Sequence, residues 1–273
     1  MTSTMTISAL YTYPVKGCAA LQHQQIALDA RGPLWDRRWM VVDAEGIFVT
    51  QRSHPPMAVI QPALSADALT LTAPGFSPLT IPLQAERGEA LSVTIWNDTC
   101  DAWDEGKVAA GWFSDLLEGD LRLVRMTDSW FRRVNPKYAP EPAQTGFSDA
   151  YPLLIVSEES LADLNAHLQA RGAQPVPMSR FRPNVVVRGA SAYAEDGWRT
   201  VQIGGVTLDV VKPCARCAVT TVDQLTGTVP DNTEPLGTLS TYRKQDGKVM
   251  FAQNAVHRAP GTLTLGAAVE VLA

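Results

Sequence analysis

Lys212-Pro-Cys-Ala-Arg-Cys-Ala-Val-Thr-Thr-Val-Asp223 carries two of the chain's four cysteines, Cys214 and Cys217, and the fold reads outward from it. The alternating apolar run Val206 to Val211 precedes it and predicts a strand; the β-branched run Val219 to Val222 follows and predicts a second. The thiols are expected where one strand ends and the next begins, the place where side chains leave a core and meet ligands. A thiolate is both a soft metal ligand and a nucleophile, and a neighbouring cation such as Arg216 favours that form. The bland alternative is a buried, inert thiol. A structural zinc site needs four ligands, and Cys18, Cys100, His23, His54, His167 and His257 stand at no finger spacing. A thioredoxin-like redox pair needs a βαβ frame that this pattern lacks.

Composition bounds the class. The 273 residues are enough for one or two domains, and 45% apolar with 19% charged residues describes an ordinary globular chain. A net charge of −5 argues against a nucleic-acid polymer as partner. No apolar run is long enough to span a bilayer, so no membrane partner is expected. The start, Met1-Thr-Ser-Thr-Met-Thr6, has no basic, signal-like region, which makes a cytoplasmic location the expectation.

Short alternating segments dominate the first half. Ile7–Val15 runs as a strand into the turn at Tyr13-Pro-Val-Lys-Gly17, and Gln24–Leu28 follows before a break at Arg31-Gly-Pro33. Arg38–Val42 and Ile47–Gln51 flank Asp43-Ala-Glu-Gly46, a hairpin signal. Ala58–Gln61, Ala68–Leu71, Leu79–Ile81 and Leu91–Trp96 are further strands. The period then changes: Val108, Trp112, Phe113, Leu116 and Leu117 share one face of a helix over 107–117, closed by Gly119. After a strand at Leu121–Arg125 comes a polar, basic loop from Trp130 to Thr145. The expected boundary lies near 125, giving domains 1–125 and 126–273.

The second half opens with a strand at Tyr151–Val156 and a helix capped by Ser157 with Leu161, Leu164 and Leu168 on one face. Asn184–Val187 is a strand, and Val201–Ile203 pairs with Val206–Val211 across Gly204-Gly205. A short helix at Leu236–Arg243 and strands at Val249–Ala252, Thr262–Leu265 and Val269–Leu272 complete an α+β, predominantly β chain.

Two further groups of residues could do chemistry. Lys16, Arg37, Arg38, Arg180 and Arg182 all sit beside turns, where an arginine fork suits phosphate oxygens; a solvated surface charge is the plainer reading of each alone. Phe147-Ser148-Asp149-Ala150-Tyr151-Pro152 offers hydroxyl, carboxylate and backbone N–H groups, or is only a turn entering a strand. There is no Gly-rich phosphate loop and no G-x-S-x-G elbow.

Taken together and in order, these motifs resemble the MOSC-type molybdenum proteins. The carriers of the resemblance are Tyr13-Pro-Val-Lys-Gly-Cys18, Asp36-Arg-Arg-Trp39 with Thr50-Gln-Arg52, Gly146-Phe-Ser-Asp-Ala-Tyr-Pro152 with Ser160-Leu-Ala-Asp-Leu164, Phe181-Arg-Pro-Asn184, Tyr193-Ala-Glu-Asp-Gly-Trp198, and Cys214-Ala-Arg-Cys-Ala-Val-Thr-Thr-Val-Asp223. Within that family they look most like the mitochondrial amidoxime-reducing components and the bacterial YcbX-like proteins. The resemblance implies a β-rich MOSC N-terminal domain, a MOSC β-barrel with a few helices, and a molybdenum cofactor, a pyranopterin, between them. It implies Cys217 as the molybdenum ligand, and Lys16, Gly17, Arg37, Arg182 and Asn184 as contacts to phosphate and pterin. Ser148 and Asp149, and Ala215 with Arg216, would be the turns that enclose the cofactor. Three departures stand out. Gly17 replaces a common serine, Ala150 and Tyr151 replace hydroxyl residues, and no ferredoxin-type cysteine array is present, so no iron–sulfur cluster is expected on this chain.

The implied function is reduction of N-hydroxylated compounds, R–NHOH + 2e⁻ + 2H⁺ → R–NH₂ + H₂O. Electrons would come from an external electron-transfer protein, ferredoxin-like or a flavin reductase. Asp149 and the His257 region are the candidate proton donors. One alternative is a carrier of the cofactor or of sulfur, since MOSC domains also occur in molybdenum cofactor sulfurases; the desulfurase domain of those proteins is missing, so pyridoxal phosphate is not expected. The other is a non-catalytic β-barrel binding module.

Overall fold

The computed structural model describes residues 4–84, 90–139 and 142–273. Positions 140 and 141 of the expected 130–145 loop, and the first three residues of the start region, lie outside them.

The largest sheet has nine strands. Its order is Val269–Val271, Thr200–Ile203, Val206–Ala215, Lys248–His257, Leu153–Ser157, Val185–Arg188, Thr6–Thr12 and Leu21–Gln22, with Lys244–Gln245 added beside Lys248–His257. The two ends meet: Thr6 bridges Ala268, the amide of Ile7 donates to Ala267 O and that of Gly266 to Ile7 O, each at 2.9 Å. These contacts join the Thr6–Thr12 strand to the far end and close the sheet into the expected β-barrel, with the short strands Leu21–Gln22 and Lys244–Gln245 beside it. Ile7, Leu10, Ile155, Val185, Val187, Val201, Leu208 and Val269 fill its interior.

One pair in this sheet is parallel, Leu153–Ser157 with Val185–Arg188, and the helix Glu158–Ala170 makes the crossover between them. Ser157 caps that helix as its hydroxyl accepts from the Ser160 amide. Because the helix covers the outer face, both faces of these strands are buried. Val185 and Val187 point into the barrel and Val186 towards the helix side, which is why the sequence reads Val-Val-Val without alternation.

A second body holds two sheets. One runs Trp39–Val42, Arg122–Met126, Asp98–Asp104, Ala90–Ile95; the other runs Gln61–Leu64, Ala68–Thr72, Leu79–Pro82. The helix Lys107–Leu117 closes its core with Ala109, Phe113 and Leu117. The chain's first strand is a stave of the barrel, and Gln25–Asp29 pairs with Gly261–Thr264, so the barrel draws on both ends of the sequence. No helix of the described residues is long and apolar enough to cross a membrane.

Several local expectations are corrected. Val219–Val222 is no strand: Ala218–Thr221 is a 3₁₀ turn, because the Thr220 and Thr221 hydroxyls donate back to Cys217 O (3.0 Å) and Ala218 O (2.8 Å). Ala58–Gln61 gives way to a 3₁₀ helix, Pro55–Val59, whose two prolines suit a first turn. Ile47–Gln51 forms only isolated bridges. The first helix ends on left-handed Glu118 (φ 58°), one residue before Gly119, and the 236–243 helix shortens to Leu236–Leu239. Asp98–Asp104 is a strand that the polar letters concealed.

Candidate functional site

A cleft of about 790 Å³, counting its open mouth, lies between the two bodies. Five basic side chains line it, Lys16, Arg37, Arg52, Arg182 and Arg216, against one carboxylate, Asp149.

The Tyr13–Gly17 turn supplies the first wall. The Lys16 amide is held by Trp39 O at 2.8 Å, which turns the side chain inward, and Nζ donates to Asp149 Oδ1 at 2.5 Å. Burial pulls the Lys16 ammonium below the usual lysine range, against the attraction of Asp149. The walls around Asp149 push its carboxyl up, yet two-thirds of its side chain is open to the cleft. Lys16, with the Trp96 indole N–H and Arg37, therefore wins and holds it well below the usual carboxylate range. Gly17 has φ 86°, and a Cβ there would meet Met57 Cε at 2.8 Å. A serine at this position would strain the turn and displace the Met57 methyl, so the glycine suits its own packing.

Arg37 and Arg182 enclose the next stretch. Both have left-handed backbones, φ 45° and 54°, and both guanidinium carbons lie 4.2 Å from the ring centroid of buried Tyr13. Arg37 Nη1 donates to Asp36 Oδ2 (2.7 Å) and to Asn184 Oδ1 (3.2 Å). Asn184 is 1% exposed and in turn donates to Tyr11 O and Asp36 Oδ1. It orients Arg37 and the neighbouring backbone more than it faces the cleft. Burial pulls the Arg182 guanidinium down to about 10, against attraction from Tyr13 and with repulsion from Arg37. Ser148 sits in a turn that buried Arg132 ties up by donating to Gly146 O (2.9 Å) and Ser148 O (2.6 Å).

The cysteine stretch closes the far end. Ala215 ends its strand and is exposed, outside the cleft lining. Arg216 Nη1 meets Cys214 Sγ at 3.0 Å, Nη2 donates to Phe181 O at 2.8 Å, and Nε is buried without a partner among the described residues. The cation beside Cys217 is therefore not Arg216, as the sequence suggests, but Arg52, whose Nη1 lies 3.9 Å from Cys217 Sγ. Cys217 is half-buried at the cleft's edge, and Cys214 is the thiol among the lining residues. Among the described residues no three His, Cys, Asp or Glu side chains cluster as a metal site. A metal here would have one protein thiol and would need its other ligands from a bound cofactor. The donor set fits such a group: a surplus of cations for phosphate, an unpartnered Arg216 Nε, and a soft thiol at one end.

Of the residues the sequence assigns to the cofactor, Lys16, Gly17, Arg37, Ser148, Asp149, Arg182, Asn184 and Arg216 line one cleft, while Ala215 and Cys217 are not among its lining residues. Sequence reasoning missed Gln51, Arg52 and Phe181, although each lies in a quoted motif, and Trp96, which no motif marked. His257 is elsewhere: its Nε2 meets Asp29 O at 2.7 Å, and it does not line the cleft.

Comparison with known proteins gives two family matches, the MOSC N-terminal beta barrel domain over residues 4–120 and the MOSC domain over 142–270. The chain is 36% identical to mitochondrial amidoxime-reducing component 1 of Mus musculus, covering 98% of this chain and 82% of that protein. It is 36% identical to mitochondrial amidoxime reducing component 2 of Bos taurus, over 88% and 73%. It is also 32% identical to a molybdenum cofactor sulfurase of Solanum lycopersicum, over 90% of this chain but 32% of that protein.

Proposed function

The chain belongs to the MOSC-domain family and is homologous to the mitochondrial amidoxime-reducing components, and from that premise we propose that it is a molybdenum-cofactor-dependent reductase of N-hydroxylated compounds. Amidoximes, hydroxylamines and N-hydroxylated bases are its substrate class, and a separate redox protein supplies the electrons. The observation that carries this reading is the convergence of five cations on one cleft, with the Cys217 thiol beside one of them, Arg52, at its edge. Residues 1–125 form the N-terminal unit in this reading, and 126–273, with the first strand added, the unit that holds the cofactor.

The proposed roles follow from the contacts. Arg37, Arg182 and Lys16 bind phosphate and pterin oxygens, and Asn184 with Asp36 keeps Arg37 aimed. The Ser148–Asp149 turn and Arg216 line the remainder of the pocket, and Cys217 ligates the molybdenum. When bound, the cofactor supplies the two-electron redox couple. Asp149 stays ionised at neutral pH, so it serves as the partner of Lys16 and not as a proton donor. His257 is off the cleft and is not assigned a proton either.

The carrier reading draws on Cys214, a second thiol that lines the cleft beside Arg216. One experiment separates the two. Wild type, Cys217→Ser and Cys214→Ser are expressed in cells that make the cofactor. Molybdenum, pterin fluorescence and turnover of an amidoxime with a reduced viologen dye are then measured. The reductase reading expects near-stoichiometric molybdenum and turnover in wild type, loss of turnover in Cys217→Ser, and a mild effect in Cys214→Ser. No molybdenum and no pterin in wild type refutes it; equal loss in both variants removes Cys217 as sole protein ligand.

A further inference from the structure

We propose that Arg52 is the specificity-determining residue at the mouth of the cleft, selecting by charge among the compounds that reach Cys217. The inference rests on the reductase reading above. The turn that carries Arg52 is fastened, although the side chain is exposed. The turn is closed by Ser53 N and His54 N, both donating to Thr50 O, at 3.1 and 2.9 Å. The residue before it, Gln51, is 1% exposed and donates to Gly17 O at 2.6 Å. Gln51 also exchanges two amide hydrogen bonds with Gln224, at 3.1 and 2.9 Å. The turn is thus fastened across the cleft to the segment that follows Cys217.

The side chain rests on an aromatic ledge. Its guanidinium carbon is 4.7 Å from the Trp96 ring centroid and 6.0 Å from that of Phe48. Trp96 is itself pinned, its indole N–H donating to Asp149 Oδ1 at 3.2 Å and its ring packed 5.1 Å from Phe48. Trp96 remains 46% exposed, so the ledge faces solvent and incoming molecules. Other cations nearby are neutralised: Lys16 by Asp149, Arg37 by Asp36, Arg180 by Asp223. Among the described residues Arg52 has no carboxylate partner. Arg182 and Arg216 also lack one, but they are less exposed and are tied to Gln224 and to Cys214 and Phe181. Arg52 is therefore an exposed charge, without a carboxylate partner among the described residues, that lies 3.9 Å from Cys217 Sγ. A substrate bearing an anionic or hydrogen-bond-accepting substituent is drawn to it, and an amine-bearing one is repelled. A unit charge about 5 Å away, largely solvated, changes a rate by about fourfold to tenfold.

The test has two arms. In cofactor-free protein, Cys217 is alkylated with iodoacetate and with iodoacetamide and quantified by peptide mass spectrometry, so that Cys214 is counted separately. The ratio of the two rates cancels the thiolate fraction and reads the local field. The proposal expects that ratio to fall about fivefold in Arg52→Gln and to be kept in Arg52→Lys, with thermal midpoints unchanged. In molybdenum-loaded protein, kcat/KM is measured for carboxylate-bearing, neutral and amine-bearing amidoximes. Arg52→Gln should lose most of the discrimination against the amine while Arg52→Lys keeps it. An unchanged alkylation ratio overturns the role of Arg52 whatever the enzyme does. A changed ratio with unchanged discrimination also overturns it. Absence of turnover by loaded wild type on all three substrates overturns the reductase reading, and the specificity role with it.

Discussion

Arg182→Met should make the cofactor-free protein more stable while removing its response to phosphate. Burial pulls the Arg182 guanidinium from its ordinary 12.5 down to about 10, which costs about 3 kcal/mol. The unfolded chain holds this proton more tightly than the folded one. The cost is therefore present in full at pH 7 and fades only as pH rises through about 10 towards 12.5. Methionine keeps most of the apolar stem and removes the charge. Against the gain stand the hydrogen bond from Arg182 Nη1 to Gln224 Oε1 (3.1 Å), worth about 1 kcal/mol, and the stacking on Tyr13, worth about 1 kcal/mol more. The net is about 1 kcal/mol of stabilisation, or a rise of about 2–4 °C in thermal midpoint for a chain of this size. The assay is thermal denaturation of cofactor-free wild type and variant at pH 7, with and without inorganic pyrophosphate. Pyrophosphate should raise the wild-type midpoint and leave the variant nearly unmoved. A lower midpoint in the cofactor-free variant, or an equal pyrophosphate shift in both proteins, would refute the reasoning that Arg182 is strained in order to meet an anion.

Gly146→Ala should cost about 1–3 kcal/mol, read as a drop in urea midpoint, and should weaken pyrophosphate binding. Its Cβ would stand 2.6 Å from Arg37 O and 3.1 Å from Asp36 O, both backbone atoms with no rotamer to yield, next to the bond from Phe147 N to Arg37 O. Acid should destabilise the protein through His257 as pH falls through about 6.5. Burial lowers its imidazole below the usual 6.5, outweighing Asp29, so the unfolded state takes up the proton first and stability falls as pH falls through and below 6.5. His23, lowered by burial as well, shares the effect, so His257→Gln should flatten part of the slope of urea midpoint against pH. An unaltered slope would rule His257 out as a source.

Much of the fold was legible because its strands obey simple periods. The hairpin at Gly204-Gly205 pairs Ile203 with Val206 as its turn chemistry requires, and the Ser157 cap and its leucines announce their helix. The failures have physical causes. Asp98–Asp104 buries only Cys100 and Ala102, small residues between aspartates, so its alternation carries little hydrophobic signal. The threonines after Cys217 have strand propensity, but their hydroxyls find local carbonyls and tighten a turn instead. Long-range partners leave no trace in one sequence. Nothing in the run Cys214 to Asp223 says that Arg216 reaches back to Cys214, or that the cation at Cys217 arrives from Arg52 on the other body. The cleft residues were found through ordered motifs, and composition alone would have left each as a surface charge.

The cleft is one place where this chain departs from what stability alone would favour, and there the departures point the same way. Arg37, Trp96 and Arg182 are three non-glycine residues with positive φ, each on a different loop, and all three meet around the cleft. Such backbones cost about 1–3 kcal/mol each and persist only where the surroundings fix them. Here the fixing contacts are explicit. Tyr13 O accepts from the Arg37 amide, Asp36 and Asn184 hold the Arg37 head, and Ser179 O accepts from the Arg182 amide. Two arginines over one tyrosine ring repel each other, and a core with no ligand to meet would replace one of them. Strain on three loops and like charges gathered in one cleft make sense as a site built for an anion before the anion arrives. The pyrophosphate response of Arg182→Met tests that directly, without requiring the protein to turn anything over.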